Sequence, residues 1–265
     1  MNAMKTFKTL LGATLAAALA AAPLSAHDRN LSTLESAADA VEALSDIPLK
    51  GIPPALLRDA AGVAVIPHVV KVGLVIDGRF GRGVVLAHQP DGGWSNPVFL
   101  TLAGGGVGWQ AGVQSTDVIL VFKTRESLDR LLRGKDKVTL GGDVGVAAGP
   151  LGRQVEADTD ARLKAEIYSY SRSRGLFAGV SLEGAGLLVD HEANEAFYGP
   201  KYGRPADVIA QSGSEVAEAN RLKDRLTRLN PPPPPPVVIV PEGPAPAPPP
   251  PPPFAPPPPF APPGR

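Results

Sequence analysis

Cysteine is missing from all 265 residues. Its absence removes disulfides, thiolate metal ligands and the sulfur on which a lipoprotein anchor is built. A surplus of either charge is missing too, with 26 basic residues against 26 acidic ones. A chain with no net positive field is poorly suited to nucleic acid, so no nucleic-acid partner is expected. Long hydrophobic runs are also scarce. Residues 10–22 form an uncharged Ala/Leu run and no other segment is apolar for as long. An α-helix needs about 20 apolar residues to cross the ~30 Å hydrocarbon core, so no transmembrane helix is expected.

Catalytic motifs are equally sparse. His27, His68, His88 and His191 stand alone, with no H-E-x-x-H or comparable zinc-ligand spacing, so no metal or other cofactor is expected. Gly179-Val-Ser181-Leu-Glu183 has glutamate where the G-x-S-x-G nucleophile elbow needs its last glycine. Around Arg133-Gly-Lys135-Asp the first glycine and the final Ser/Thr of a P-loop are absent. Gly106-Val-Gly108-Trp-Gln-Ala111 fits G-x-G-x-x-A, but it runs inside a β pattern with no helix after it, so it is set aside. Asp143, Asp158, Asp160, Glu183, Asp190 and Glu192 leave a glycosidase-style carboxylate pair open, as one sequence does not say which of them converge. The expectation is a protein that is not an enzyme, with an envelope hydrolase as the remote alternative.

What is present begins with two unusual ends. Lys5 and Lys8 precede the apolar run, and small residues follow it up to Ala26, the layout of a secretory signal peptide over residues 1–26. Cleavage after Ala26 is preferred, because cleavage after Ala22 would leave Pro23 first. Removing Lys5 and Lys8 with no acidic residue leaves 24 basic against 26 acidic. The expected location is therefore outside the cytoplasm, periplasmic or secreted, and peripheral on an envelope membrane. At the other end, 21 of residues 231–265 are proline. Proline fixes φ and lacks the amide donor, so this segment should populate polyproline II rather than helix or sheet. Two readings stand: a stiff solvated spacer, or a recognition segment for a protein partner. The second draws on the recurrence of Phe254-Ala255 as Phe260-Ala261 after four prolines.

Residues 27–230 are long enough for one domain with its own core. Leu31, Leu34, Ala38, Val41 and Leu44 recur at helical spacing, and Ile47-Pro48 ends the pattern. Val216, Ala219, Leu222, Leu226 and Leu229 make a second amphipathic helix over about residues 213–229, with Arg221, Lys223, Arg225 and Arg228 on its other face. Such a helix either docks on the domain or lies in a membrane interface. Between them, short aliphatic runs at 63–66, 72–76, 84–87, 98–102, 118–122, 138–140 and 187–189 read as strands, with turns at Asp77-Gly78 and Asp91-Gly92-Gly93. Thr124 and Asp190 are suited to cap short helices starting at residues 125 and 191. Many of the 29 glycines fall inside the strand runs. Bulges, tight coiling or close backbone approach account for glycine there, and a ligand-lining role is the alternative. The fold class expected is α+β: a strongly curved, Gly-rich, mainly antiparallel sheet, barrel-like, with flanking helices and a Pro-rich tail.

Several fragments resemble one family in order and spacing. They are Gly62-Val-Ala-Val-Ile-Pro67, Lys71-Val-Gly73, Gly81-Arg-Gly83, Trp94-Ser-Asn-Pro97, Gly108-Trp-Gln-Ala-Gly112 and Gln114-Ser-Thr-Asp117. The series continues with Gly149-Pro-Leu-Gly-Arg153, the run from Tyr168 through Gly179, Ser181-Leu-Glu-Gly184, Asn194 and Tyr198-Gly199. Together they make residues 31–202 similar to a SYLF domain. The resemblance implies a phospholipid-binding module: eukaryotic members bind phosphoinositides, some beside an SH3 domain and in contact with actin, while bacterial members are exported. No SH3 domain accompanies it here, and a signal peptide would set cytosolic actin aside. The partner expected is an anionic phospholipid surface, phosphatidylinositol-like or of bacterial type. The alternative is a scaffolding envelope protein tethered through its Pro-rich tail.

An anionic headgroup favours convergent arginines, whose planar fork takes two phosphate oxygens. Read as a strand, residues 168–174 place Tyr168, Tyr170, Arg172 and Arg174 on one face and Ser169, Ser171 and Ser173 on the other. Tyrosines beside guanidinium groups suit a membrane interface, and a solvated strand face is the alternative. Lys135, Lys137 and Arg153 are secondary candidates on expected loops.

Overall fold

The computed structural model describes residues 25–45, 52–73, 76–107, 112–133, 137–150, 165–173, 176–180, 182–211, 213–214 and 216–229. The chain divides into two compact units, Met1–Pro232 and Pro233–Arg265, and every described residue lies in the first. The expected leader, residues 231–265, Lys135, Arg153 and Arg174 lie outside the described residues.

Helix α1 (Ala26–Ser45) opens the domain and a short α2 (Pro54–Arg58) follows. Four long strands come next: β1 (Gly62–Gly73), β2 (Ile76–Ala87), β3 (Val98–Val107) and β4 (Gly112–Phe122). Helix α3 (Arg125–Leu132) leads to β5 (Val138–Thr139), β6 (Val146–Ala148), β7 (Ile167–Ser173), β8 (Leu176–Gly179) and β9 (Gly186–Val189). Helices α4 (His191–Tyr198), α5 (Pro205–Ala210) and α6 (Ala217–Leu229) complete it. The strands form one nine-stranded sheet in the order β5-β9-β3-β2-β1-β4-β7-β6, with β8 branching off β7. Neighbours are antiparallel except β6 and β7, and the sheet curls into a half-barrel flanked by helices.

The sheet buries both faces. On the outer face Val63, Val65, Val84, Leu86, Ile119 and Val121 pack against α1, α4 and α6. On the concave face Ala64, Ile66, Val85, Leu100, Leu120 and Phe122 pack against Leu128 and Leu131 of α3 and Val208 of α5. Burial on both sides explains why the central strands read as unbroken aliphatic runs rather than alternating ones. The helix caps follow the sequence: the Ser127 N–H donates to Thr124 Oγ1 at 3.2 Å and the Ala193 N–H to Asp190 Oδ1 at 2.9 Å. Glycine is required by close approach. A Cβ on Gly83 would meet the Val65 carbonyl oxygen and come within 2.7 Å of Ile66 Cα. That contact is how β2 coils tightly over β1.

Two features of β1 and β2 differ from expectation, and a third agrees with it. The runs at 63–66 and 72–76 are not separate strands, because β1 continues through Pro67 and His68 to Gly73 and residues 74 and 75 join it to β2. Asp77-Gly78 is not a turn but part of β2, paired with Gly73 and Val72. Asp91-Gly92-Gly93 does turn the chain, with Gly92 at φ 84° and the Gly93 N–H bonded to Asp91 Oδ1.

Helix α6 docks on the domain. Ala219, Leu222 and Leu226 are almost fully buried, and Arg225 reaches Asp39 at 3.0 Å and Glu42 at 2.5 Å on α1. Lys223 donates to Asn96 Oδ1, and burial lowers its pKa. Two of the four basic residues proposed for a membrane-facing helix are thus engaged with the domain itself.

Candidate functional site

Strand β7 alternates as its sequence requires, but its tyrosine face is buried beneath the helices of the outer face. Tyr168 pairs with Val121 and Tyr170 with Ile119, both on the helix-covered side of the sheet. Their relative exposures are 4% and 0%, and the Tyr170 hydroxyl donates to the Pro150 carbonyl at 3.1 Å. These rings are core, and a headgroup cannot reach them. Arg172, next on that face, binds Asp117 through Nε at 3.0 Å and through its terminal nitrogen at 2.9 Å. Lys137 is exposed just before β5. Among the described residues, Tyr168 and Tyr170 are therefore not part of the exposed Tyr/Arg surface that period-two spacing suggests.

What it assembles is a bulge. Between Ile66 and Val69, β1 carries one residue more than β4 opposite it, and β2 shows the same offset between Val65 and Val70. His68 occupies this bulge at φ 50°, a left-handed conformation uncommon outside glycine. Asp117 holds it there: its Oδ1 accepts the His68 N–H at 3.0 Å while Oδ2 takes Arg172. The Asp117 residue is only 7% exposed, so the carboxylate is compensated by a backbone donor and a guanidinium.

An extra residue exchanges the faces of everything beyond it. Before the bulge, Val63 and Val65 point outward and Ala64 and Ile66 into the concavity; after it, Val69 points into the concavity. Val70 and Val72 thereby turn to the outer face, where Val70 lies at the edge of α1 beside Ser32, Thr33 and Ser36. There Val70 lies opposite Phe80 and Ser115, and Val72 opposite Gly78 and Val113. Val70, Val72, Phe80 and Val113 are the exposed large hydrophobic residues of the described chain, at 40%, 52%, 55% and 72%. All four share one face of one end of the sheet.

The same exchange carries Lys71 to the concave side, opposite Arg79 on β2 and Gln114 on β4. A cavity of about 290 Å³ opens there. Lys71, Arg79, Gln114, Thr116 and Ser171 supply its polar groups, and Val69, Val118 and Leu182 its apolar floor. The strand end thus offers an apolar outer face and a cationic, hydroxyl-bearing inner one. Among the described residues, no group of three or more His, Cys, Asp or Glu could hold a metal ion, and no helix is long and apolar enough to cross a membrane.

This strongly curved sheet with flanking helices is the domain of a known family. Residues 103–229 match the Ysc84 family, described as Las17-binding protein actin regulator, and the chain belongs to this SYLF family. Among its relatives, the Xenopus laevis SH3 domain-containing YSC84-like protein 1 is 39% identical over 179 residues, covering 68% of this chain and 53% of that protein. Protein YSC84 of Saccharomyces cerevisiae is 44% identical over 150 residues, or 56% of this chain and 32% of its own. The Homo sapiens SH3 domain-containing YSC84-like protein 1 is 40% identical over 151 residues, 57% and 44% of the two chains. The chain spans about half the length of these relatives, or less. The family description speaks of binding and regulation rather than of catalysis, as does the name of a further relative, LAS seventeen-binding protein 3 of Saccharomyces cerevisiae, 42% identical over 150 residues. No solved structure matches the chain significantly.

Proposed function

We propose that this protein is a non-enzymatic phospholipid-binding domain that works outside the cytoplasm, on the surface of an anionic membrane. The observation that carries the reading is the two-sided end of β1, β2 and β4. Val70, Val72, Phe80 and Val113 form an exposed apolar face, and Lys71 and Arg79 stand on the reverse of the same strands. An amphipathic edge of this kind buries its apolar side at the headgroup boundary and sets its cations among phosphates. Its target is phosphatidylglycerol, cardiolipin or a phosphatidylinositol-like lipid. The export part of the reading rests on the signal-peptide pattern of residues 1–26.

Vesicle flotation with the purified chain tests it. Phosphatidylglycerol or cardiolipin vesicles should carry the protein to the top of the gradient at low salt. Binding should weaken at roughly 1 M salt, where the Debye length is about 3 Å. Absence of flotation at low salt ends the proposal. A second reading, a scaffold tethered through residues 231–265, is favoured by the repeated Pro-Pro-Pro-Pro-Phe-Ala motif. Deleting that segment should then abolish pull-down partners while flotation persists.

A further inference from the structure

A larger cavity, of about 580 Å³, lies at the other end of the sheet, between α3 and α5. Gln89, on its wall, follows the end of β2, whereas the apolar strand end includes Phe80 near the start of β2. From Phe80 to the end of β2 at Ala87 the strand runs roughly 23 Å at ~3.3 Å per residue. The cavity is therefore no part of the surface described above, and its volume falls within the ~300–1,000 Å³ of small-ligand pockets.

Its floor and rim differ in chemistry. Leu132, Pro205 and Ile209 form an apolar floor, and Leu132 and Ile209 continue into the concave core. Arg125, Arg133 and Arg204 stand on the rim with Asp129 as the one acidic lining residue. Two of the arginines are paired with a carboxylate in solvent and the third is not. Arg125 binds Asp129 through Nε at 3.0 Å, which leaves its two terminal nitrogens available. Arg204 is braced by both oxygens of Asp207 at 2.9 and 3.2 Å. The Arg133 backbone N–H donates to the Asp129 carbonyl at 3.0 Å, and its guanidinium makes no hydrogen bond or ion pair with another described residue. Exposed pairs of this type contribute only ~0–1 kcal/mol, so an incoming anion displaces little. Guanidinium forks match carboxylate or phosphate, and an aliphatic floor matches a hydrocarbon chain.

We infer that this cavity binds one molecule of a single-chain anionic amphiphile, its headgroup among Arg125, Arg133 and Arg204 and its chain against Leu132 and Ile209. This is a second site, independent of the membrane-facing strand end.

Isothermal titration of the full chain with dodecanoate and with dodecyl phosphate, below their micelle concentrations, tests the inference. The two probes separate a free carboxylate from a phosphate source. One-to-one saturable binding of either supports it. Dodecylphosphocholine, whose headgroup has no net charge, and inorganic phosphate, which has no chain, should each bind at least about tenfold more weakly (~1.4 kcal/mol). The double variant R125Q/R133Q alters exposed side chains and should lose about tenfold or more with an unchanged melting midpoint. Ile209→Trp should lose binding by filling the floor. Absence of saturable binding by both dodecyl anions, or equal affinity in R125Q/R133Q, overturns the inference, as does phosphate binding as tightly as dodecyl phosphate. Vesicle flotation of R125Q/R133Q should equal that of the parent chain; a parallel loss would merge the two sites and overturn the second.

Discussion

Asp117 shows how much of the site rests on one carboxylate. It is nearly buried, accepts the His68 N–H and pairs with Arg172. Asp117→Ala leaves the bulge without its acceptor and the Arg172 guanidinium without its anion. Breaking a buried pair costs ~3–5 kcal/mol, and the 29% exposure of the Arg172 side chain reduces that to about 2 kcal/mol. Urea denaturation should show a loss of this size, and flotation should fall with it, since Val70 and Lys71 owe their faces to the bulge. Unchanged stability would mean that the bulge needs no lock. Tyr198 offers a pH test. Burial pushes its phenol above the ordinary 10.0, and the hydroxyl donates to the Pro97 carbonyl at 2.7 Å. With the folded pKa raised, its contribution is complete below about pH 10 and is lost as pH rises beyond that. Melting midpoints measured from pH 8 to 11 should fall at the alkaline end, and Tyr198→Phe should flatten that fall while lowering the midpoint at neutral pH.

Helix α6 decides between docking and membrane insertion at the level of elements. Its apolar stripe is the same in both cases, so composition alone left the two open. In the folded domain Leu222 is fully buried beneath α1 and the sheet. Leu222→Ala should therefore cost ~2–4 kcal/mol in urea denaturation and leave flotation of the folded protein intact. Loss of flotation at unchanged stability would instead assign the helix to the membrane. Similar reasoning explains what was legible beforehand. The terminal helices, the capping roles of Thr124 and Asp190 and the curved glycine-rich sheet were readable, because helical spacing, a capping hydroxyl or carboxylate and strand glycines each have one local cause. Pro67-His68 was not, since proline ordinarily ends a strand, and only the partners on β2 and β4 reveal that β1 runs on through a bulge. Periodicity placed Tyr168, Tyr170 and Arg172 on one face correctly. It carried no information on which face the helices cover, and so the core side was taken for the surface.

Across the whole molecule, charge is balanced and no long-range field draws the protein to a membrane. Attachment must then come from apolar contact at the strand end, with Lys71 and Arg79 adding local attraction. Phe80 and Val113 are the most exposed members of that face, and burying each at the headgroup boundary contributes about 1–2 kcal/mol. Phe80→Ser/Val113→Ser should weaken vesicle binding by on the order of a hundredfold. Its melting midpoint should stay within a degree or two of the parent chain, because neither side chain is buried within the folded domain. Flotation of the parent chain should retain an appreciable fraction at roughly 1 M salt, where a purely cationic surface would let go. Full release by salt, together with undiminished binding by the double variant, would move attachment away from this edge and onto the basic residues alone.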